Sequence, residues 1–219
     1  PVKMFILNEM VKHGAPEEIL YSDKPHIGTD KLSIMVKNIR NEIIRSGGEV
    51  LFNSKMTNIL VDNGKISGIQ FINNNSINEV QCEEIILATG NSSRHTFRYL
   101  NLLGVAMEAR PVSMGLRIEH PREYINKLVY KKHYRLINDS ADYRMVVHLE
   151  NGRGVYTFCM CPGGFIVPAA TSPGEIVVNG MSPSRRDGKF ANSGIVVAVE
   201  LDDLKPYQKY GPLAAMIFQ

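Results

Sequence analysis

Apolar residues recur at helical spacing through residues 29–46, where Leu32, Met35, Val36, Ile39, Ile43 and Ile44 line one side of TDKLSIMVKNIRNEIIRS. Thr29-Asp30 opens the stretch and Gly47-Gly48 closes it, the punctuation of a helix of about four turns. The period then changes. EVLF (49–52) reads as a strand, and two alternating runs flank Asp62-Asn63-Gly64 in KMTNILVDNGKISGIQFI, a hairpin signal because Asn-Gly accepts the positive φ of a tight turn. Asn73-Asn74-Asn75 reads as a solvated hairpin loop. EEIILATG (83–90) follows as an apolar run that stops on Ala88-Thr89-Gly90, and SSRHTFRYLNLL reads as a helix capped by Ser92 or Ser93.

Beyond residue 100 strand patterns dominate. VSMGLRIEH, YRMVVHLE, GVYTFCMC, GFIVPAA, EIVVNGMS and GIVVAVEL succeed one another with Gly, Pro or Asn-Gly between them, a spacing that favours an antiparallel sheet over βαβ units. One short helix, PREYINKLVY, interrupts them. The expected fold is therefore α/β plus a β-rich cap. Residues 1–100 supply lead-in helices and an α/β layer, in which a parallel strand, the hairpin and the ATG strand share a sheet. Residues 101–219 form a separate, mostly antiparallel domain.

With 44% hydrophobic and 21% charged residues the chain has an ordinary globular composition, and 219 residues allow one large or two small domains. No run reaches the roughly 18 apolar residues of a membrane span. A net charge of +3 argues for no particular polyanion, and the three cysteines, Cys82, Cys159 and Cys161, lack the spacing of a disulfide framework or a zinc site. A reducing cytoplasm fits these features, and the sequons at Asn74, Asn91 and Asn138 are then accidental.

Small residues at the end of an apolar strand let a flat or phosphorylated ligand approach the backbone, so Ala88, Thr89 and Gly90 point to a nucleotide-type cofactor. KPHIGTDKL (24–32), IILATGNSSRHTF (85–97), MGLRIEHP (114–121), GRGVYTFCMCPGG (152–164), NGMS and ANSG (179–194) make the signal specific. On these strings nearly the whole chain resembles a family of uncharacterised bacterial FAD-dependent dehydrogenases, NAD- or FAD-utilising. The resemblance implies FAD bound in the full-length protein, NAD(P)H as a candidate co-substrate, and a small-molecule substrate. It nominates the main chain of Met56 for the adenine ring, with Ala88, Thr89 and Gly90 on the other side; Met56 as a gap-filling core residue is the alternative.

The resemblance also implies a G-x-G-x-x-G turn for the pyrophosphate and a closing Gly-Asp segment, and neither pattern occurs here. It thus makes residues 1–100 an incomplete Rossmann-like half of a FAD-binding domain and residues 101–219 the substrate domain, and the incomplete sheet leaves an apolar edge through which a homodimer is expected. With Pro1 at its start and AAMIFQ at its end, the chain reads as the middle of a longer enzyme, inactive and flavin-free alone. The competing class is a non-catalytic binding module sharing the architecture.

The resemblance names no catalytic residue, and no metal site is expected, since a flavin carries its own redox chemistry. His26 precedes a helix N-terminus, where an anion is favoured, or is a loop residue beside a Thr29 or Asp30 cap. Arg117 and Glu119 share one strand face with His120 on the other, a substrate-side candidate or a surface pair. Cys159 and Cys161 share a face of their strand about 6.5 to 7 Å apart, a redox pair or two small core residues. Pro162-Gly163-Gly164 then breaks the strand as a roof over flavin or substrate. The basic stretch 110–135, with Tyr130 and Tyr134 around Lys131-Lys132-His133, suits NAD(P)H phosphates, an acidic substrate or, as the remote alternative of an RNA-modifying flavoprotein, bases stacked on the tyrosines.

Overall fold

The computed structural model describes residues 2–137 and 139–219, so Pro1 and the sequon asparagine at 138 lie outside the described residues. The chain divides into two compact units, residues 37–91 and residues 1–36 with 92–219.

The smaller unit is a three-stranded antiparallel sheet of β1 (Ser54–Asp62), β2 (Lys65–Asn73) and β3 (Ser76–Gln81) in that order. Both turns are two-residue connections with positive φ at each position, Asn63 and Gly64 in one and Asn74 and Asn75 in the other. That geometry matches the twist of the flanking strands. Phe71 is its buried apolar anchor and pairs with Met56. Helix α2 (Thr29–Arg45) crosses the division after Val36. It ends as its glycines require: Gly47 has a φ of 87°, Gly47 N–H reaches the Ile44 carbonyl and Gly48 N–H the Ile43 carbonyl, a Schellman cap.

Two expectations fail in this unit. There is no parallel Rossmann-type sheet among the described residues, and residues 83–90 form no strand. A strand exists only where a neighbour accepts its N–H and C=O groups. None of the described strands pairs with 83–90, and Ile86 stays 93% exposed. EVLF likewise remains irregular, turning into β1 through Asn53 at positive φ.

In the larger unit α1 (Val2–Lys12), the N-terminal part of α2 and α3 (Arg94–Leu102) accompany two antiparallel sheets. Four strands run in the order β4 (Val112–Pro121), β9 (Phe190–Val199), β6 (Gly154–Cys161), β5 (Val146–His148), and two form the pair β7 (Phe165–Pro168) and β8 (Val178–Met181). On one face of the larger sheet, Ile125 of α4 (Arg122–Tyr130) packs with Ala141 and Ala191, joined by Tyr130, Tyr143 and Met160. At its far end Val199 packs with Leu204 and with Ala214 of α5 (Ala214–Phe218). Arg153 grips Asp203 there with two bonds of 2.6 and 2.8 Å. No helix among the described residues is long and apolar enough to cross a membrane.

Candidate functional site

The larger unit contains a cleft of about 460 Å³. Residues 25–29 and Leu32 wall one side of it, the end of β6 and its turn (159–162) a second, and β8 with the following loop, residues 179–182 and Arg186, a third. Hydrogen bonds across the walls hold it open. Thr29 N–H donates to the Ser182 carbonyl at 3.1 Å, and the Ser182 hydroxyl donates to the Pro162 carbonyl. The Asp30 carboxylate accepts the Ser184 N–H and hydroxyl, each at 2.7 Å. Those two bonds, the hydroxyl first, hold the Asp30 carboxyl below its usual range. His26 lines the cleft, but its Nε2 donates to the Pro183 carbonyl at 3.1 Å. The loop reading of His26 is the one its bonding fits, and Asp30 opposes an anion at the α2 N-terminus.

The end of β6 departs from the regular strand. Phe158 pairs with Gly194 and Cys161 with Asn192, so one extra residue is accommodated between them and Cys159 takes a φ of 46°. Such a bulge reverses the side-chain alternation. The expected shared face of Cys159 and Cys161 is therefore broken. Cys159 is exposed, contrary to the core-packing alternative, whereas Cys161 is half-buried on the face of Asn192. Burial pushes the Cys161 thiol up, against the opposing pull of the Arg117 and Arg186 guanidiniums. A protonated thiol is a poor nucleophile.

Arg117 is no surface partner of Glu119. Its Nη1 donates to Asn192 Oδ1 at 2.7 Å and to the Cys159 carbonyl at 2.9 Å, and approaches Cys161 Sγ at 3.9 Å. This cluster lies directly behind β8. A Cβ on Gly180 would fall 2.7 Å from Cys161 Sγ and still closer to Arg117 Nη1 and Asn192 Oδ1. On the opposite face His120 Nε2 and the Tyr143 hydroxyl share a 2.6 Å bond.

Pro162 lines the cleft, and the two glycines after it are not among its lining residues. What they approach is the protein's own backbone: a Cβ on Gly163 would collide with the Arg186 carbonyl, and one on Gly164 with the Met181 carbonyl. The cofactor candidates lie in the other unit. Met56 is a half-buried β1 residue, whereas Ala88, Thr89 and Gly90 are exposed and irregular, with nothing within 4 Å of a Cβ placed on Gly90. In the basic stretch Tyr130 packs into the core and the Tyr134 ring is met by Lys127 and Arg135 at 5.3 and 5.5 Å, so both aromatics are engaged internally. The described residues contain no group of three metal-ligating side chains.

Arg186, Gly180 and Asn192 were missed as site residues in the sequence. The signal for Gly180 and Asn192 was the pair of small, polar strings NGMS and ANSG, whereas no motif marks Arg186.

Residues 111–219 match the family described as FAD-dependent protein, C-terminal domain-like. This part of the chain resembles the C-terminal domain of FAD-dependent proteins. An uncharacterized protein of Clostridium beijerinckii is 47% identical over 217 residues, 98% of this chain, and the chain spans 39% of that relative's length.

Proposed function

We propose that the chain is the substrate-facing part of a FAD-dependent oxidoreductase that acts on a small molecule, with residues 101–219 as its substrate domain. The match of residues 111–219 to the C-terminal domain of FAD-dependent proteins carries this reading. The cleft supports it, since its volume lies in the range of roughly 300–1,000 Å³ usual for small-molecule sites.

The residues present do not make a flavin site by themselves. The segment nominated for the nucleotide is exposed irregular chain, Gly90 faces open space, and among the described residues no G-x-G-x-x-G turn follows a strand to hold a pyrophosphate. Flavin retention in this reading belongs to the longer protein, where residues 83–90 gain strand partners. The test is the absorbance spectrum of the purified Clostridium relative beside that of this chain. Bound oxidised flavin is expected in the first, and no saturable FAD binding in the second. A flavin-free relative that is folded would refute the oxidoreductase reading.

A further inference from the structure

Two buried nitrogens near the cleft lack an acceptor among the described residues: Arg186 Nε and Asn192 Nδ2. Asn192 is wholly inaccessible, and its Oδ1 is committed to Arg117, so turning the amide around does not remove the orphan. Buried donors are almost always paired. Of the two residues Arg186 lines the cleft, where an acceptor can reach its guanidinium.

Charge points the same way. Arg117 and Arg186 make no ion pair among the described residues, and both act on the Cys161 thiol in the cleft wall. Among the described residues no carboxylate lines the cleft. Its walls are otherwise mainly apolar, with Ile27, Leu32, Met160 and Met181 among them. The backbone adds a third observation. Of the described non-glycine residues at positive φ, four are asparagines in turns and Lys131 follows a helix, whereas Cys159 and Arg186 both line this cleft. Backbone held in a sparsely populated region is characteristic of ligand sites.

We propose that the cleft binds the oxyanion end of an amphipathic small molecule, a carboxylate or a phosphate monoester on an apolar body. Arg186 is the charge partner and donor, and the apolar walls take the body. As a substrate subsite this rests on the oxidoreductase reading, but the binding itself is testable without flavin. A chain that binds anions beside a flavin-free relative defeats only the enzyme reading. A flavin-loaded relative whose cleft ignores anions defeats only this one.

The full chain is titrated with benzoate, phenyl phosphate and benzyl alcohol by calorimetry, and the amide resonances that move are mapped. At least one anion should saturate, at least about tenfold more tightly than the alcohol, with shifts at Gly180, Cys161 and Arg186. The tighter of the two anions identifies the head group. Arg186→Gln should weaken the anion by about tenfold or more, a loss of ~1.4 kcal/mol, and leave the alcohol unchanged, and Arg186→Lys should restore part of it. Failure of both anions to saturate overturns the proposal, because the orphan Arg186 donor is then met by water. So do shifts that map outside the cleft, a readout that holds even where a variant does not fold, and anion affinity unchanged in folded Arg186→Gln.

Discussion

Replacing Arg117 by Met removes the one side-chain partner that the buried Asn192 amide has among the described residues. In the native chain Nη1 spans Asn192 Oδ1 and the Cys159 carbonyl at 2.7 and 2.9 Å, and Asn192 is fully inaccessible. Hydrogen bonds to a charged group are worth roughly 1.5–3 kcal/mol, and leaving a buried polar group unmet costs roughly 1–3 kcal/mol. Because the methionine still fills the space of the arginine stem, the net loss expected for Arg117→Met is about 2–4 kcal/mol. For a protein of this size each kcal/mol lowers Tm by roughly 2–4 °C, so a fall of about 5–15 °C is expected.

The pair can be isolated by a double-mutant cycle. Asn192→Leu removes both the bonded oxygen and the orphan nitrogen, so in that background Arg117→Met no longer strands an amide. The double variant should be more stable than the sum of the two single losses predicts, by about 1–3 kcal/mol. Urea unfolding of the four proteins, compared at equal m-values, measures this. Additivity to within about 0.5 kcal/mol would refute the reasoning, since it would mean that the guanidinium and the amide do not depend on one another.

Gly163→Ala should destabilise the chain by at least about 1–3 kcal/mol, because Gly163 has a φ of 57° and its Cβ would strike the Arg186 carbonyl; an unchanged urea midpoint would contradict the packing described. Iodoacetamide at mildly alkaline pH should label the exposed Cys159 at least about tenfold faster than Cys161, whose thiol burial pushes up, and equal rates by peptide mapping would count against the bulge. The Arg153 side chain and the Glu200 amide hold the Asp203 carboxyl at about 2, below its ordinary 3.8. Its ionised form therefore stabilises the fold above about pH 4, and that contribution is lost as pH falls toward 2. Asp203→Asn should lower Tm at neutral pH and match the native chain near pH 2, and a gap independent of pH would exclude this linkage.

Local chemistry was legible wherever it sufficed to define the structure. The Asn63-Gly64 turn, the glycine stop of α2 and the limits of β6 each follow from one or two residues whose backbone preferences leave little choice. The apolar run at 83–90 shows the opposite case. Its pattern describes a buried strand, yet burial and pairing come from other segments, and the described chain supplies no partner. The β3 strand, with every residue exposed, carries almost no hydrophobic signal and forms because the tight Asn74-Asn75 turn delivers it to β2.

The cleft was only partly legible for a related reason. His26, Cys159 and Pro162 were recognisable as residues of interest, but their use depends on register. A single extra residue in β6 separates the two cysteines onto different faces and turns Cys161 toward Asn192. Glycine carries the same ambiguity. An absent side chain marks close approach without saying what approaches: at Gly163 and Gly164 it is the protein's own carbonyls, whereas at Gly180 it is the Arg117–Asn192 pair behind a wall of the cleft. The distinction matters chemically. At Gly180 the missing side chain lets a wall of the cleft lie directly against buried polar side chains, so the charge and hydrogen bonding behind that wall belong to the cleft's surroundings.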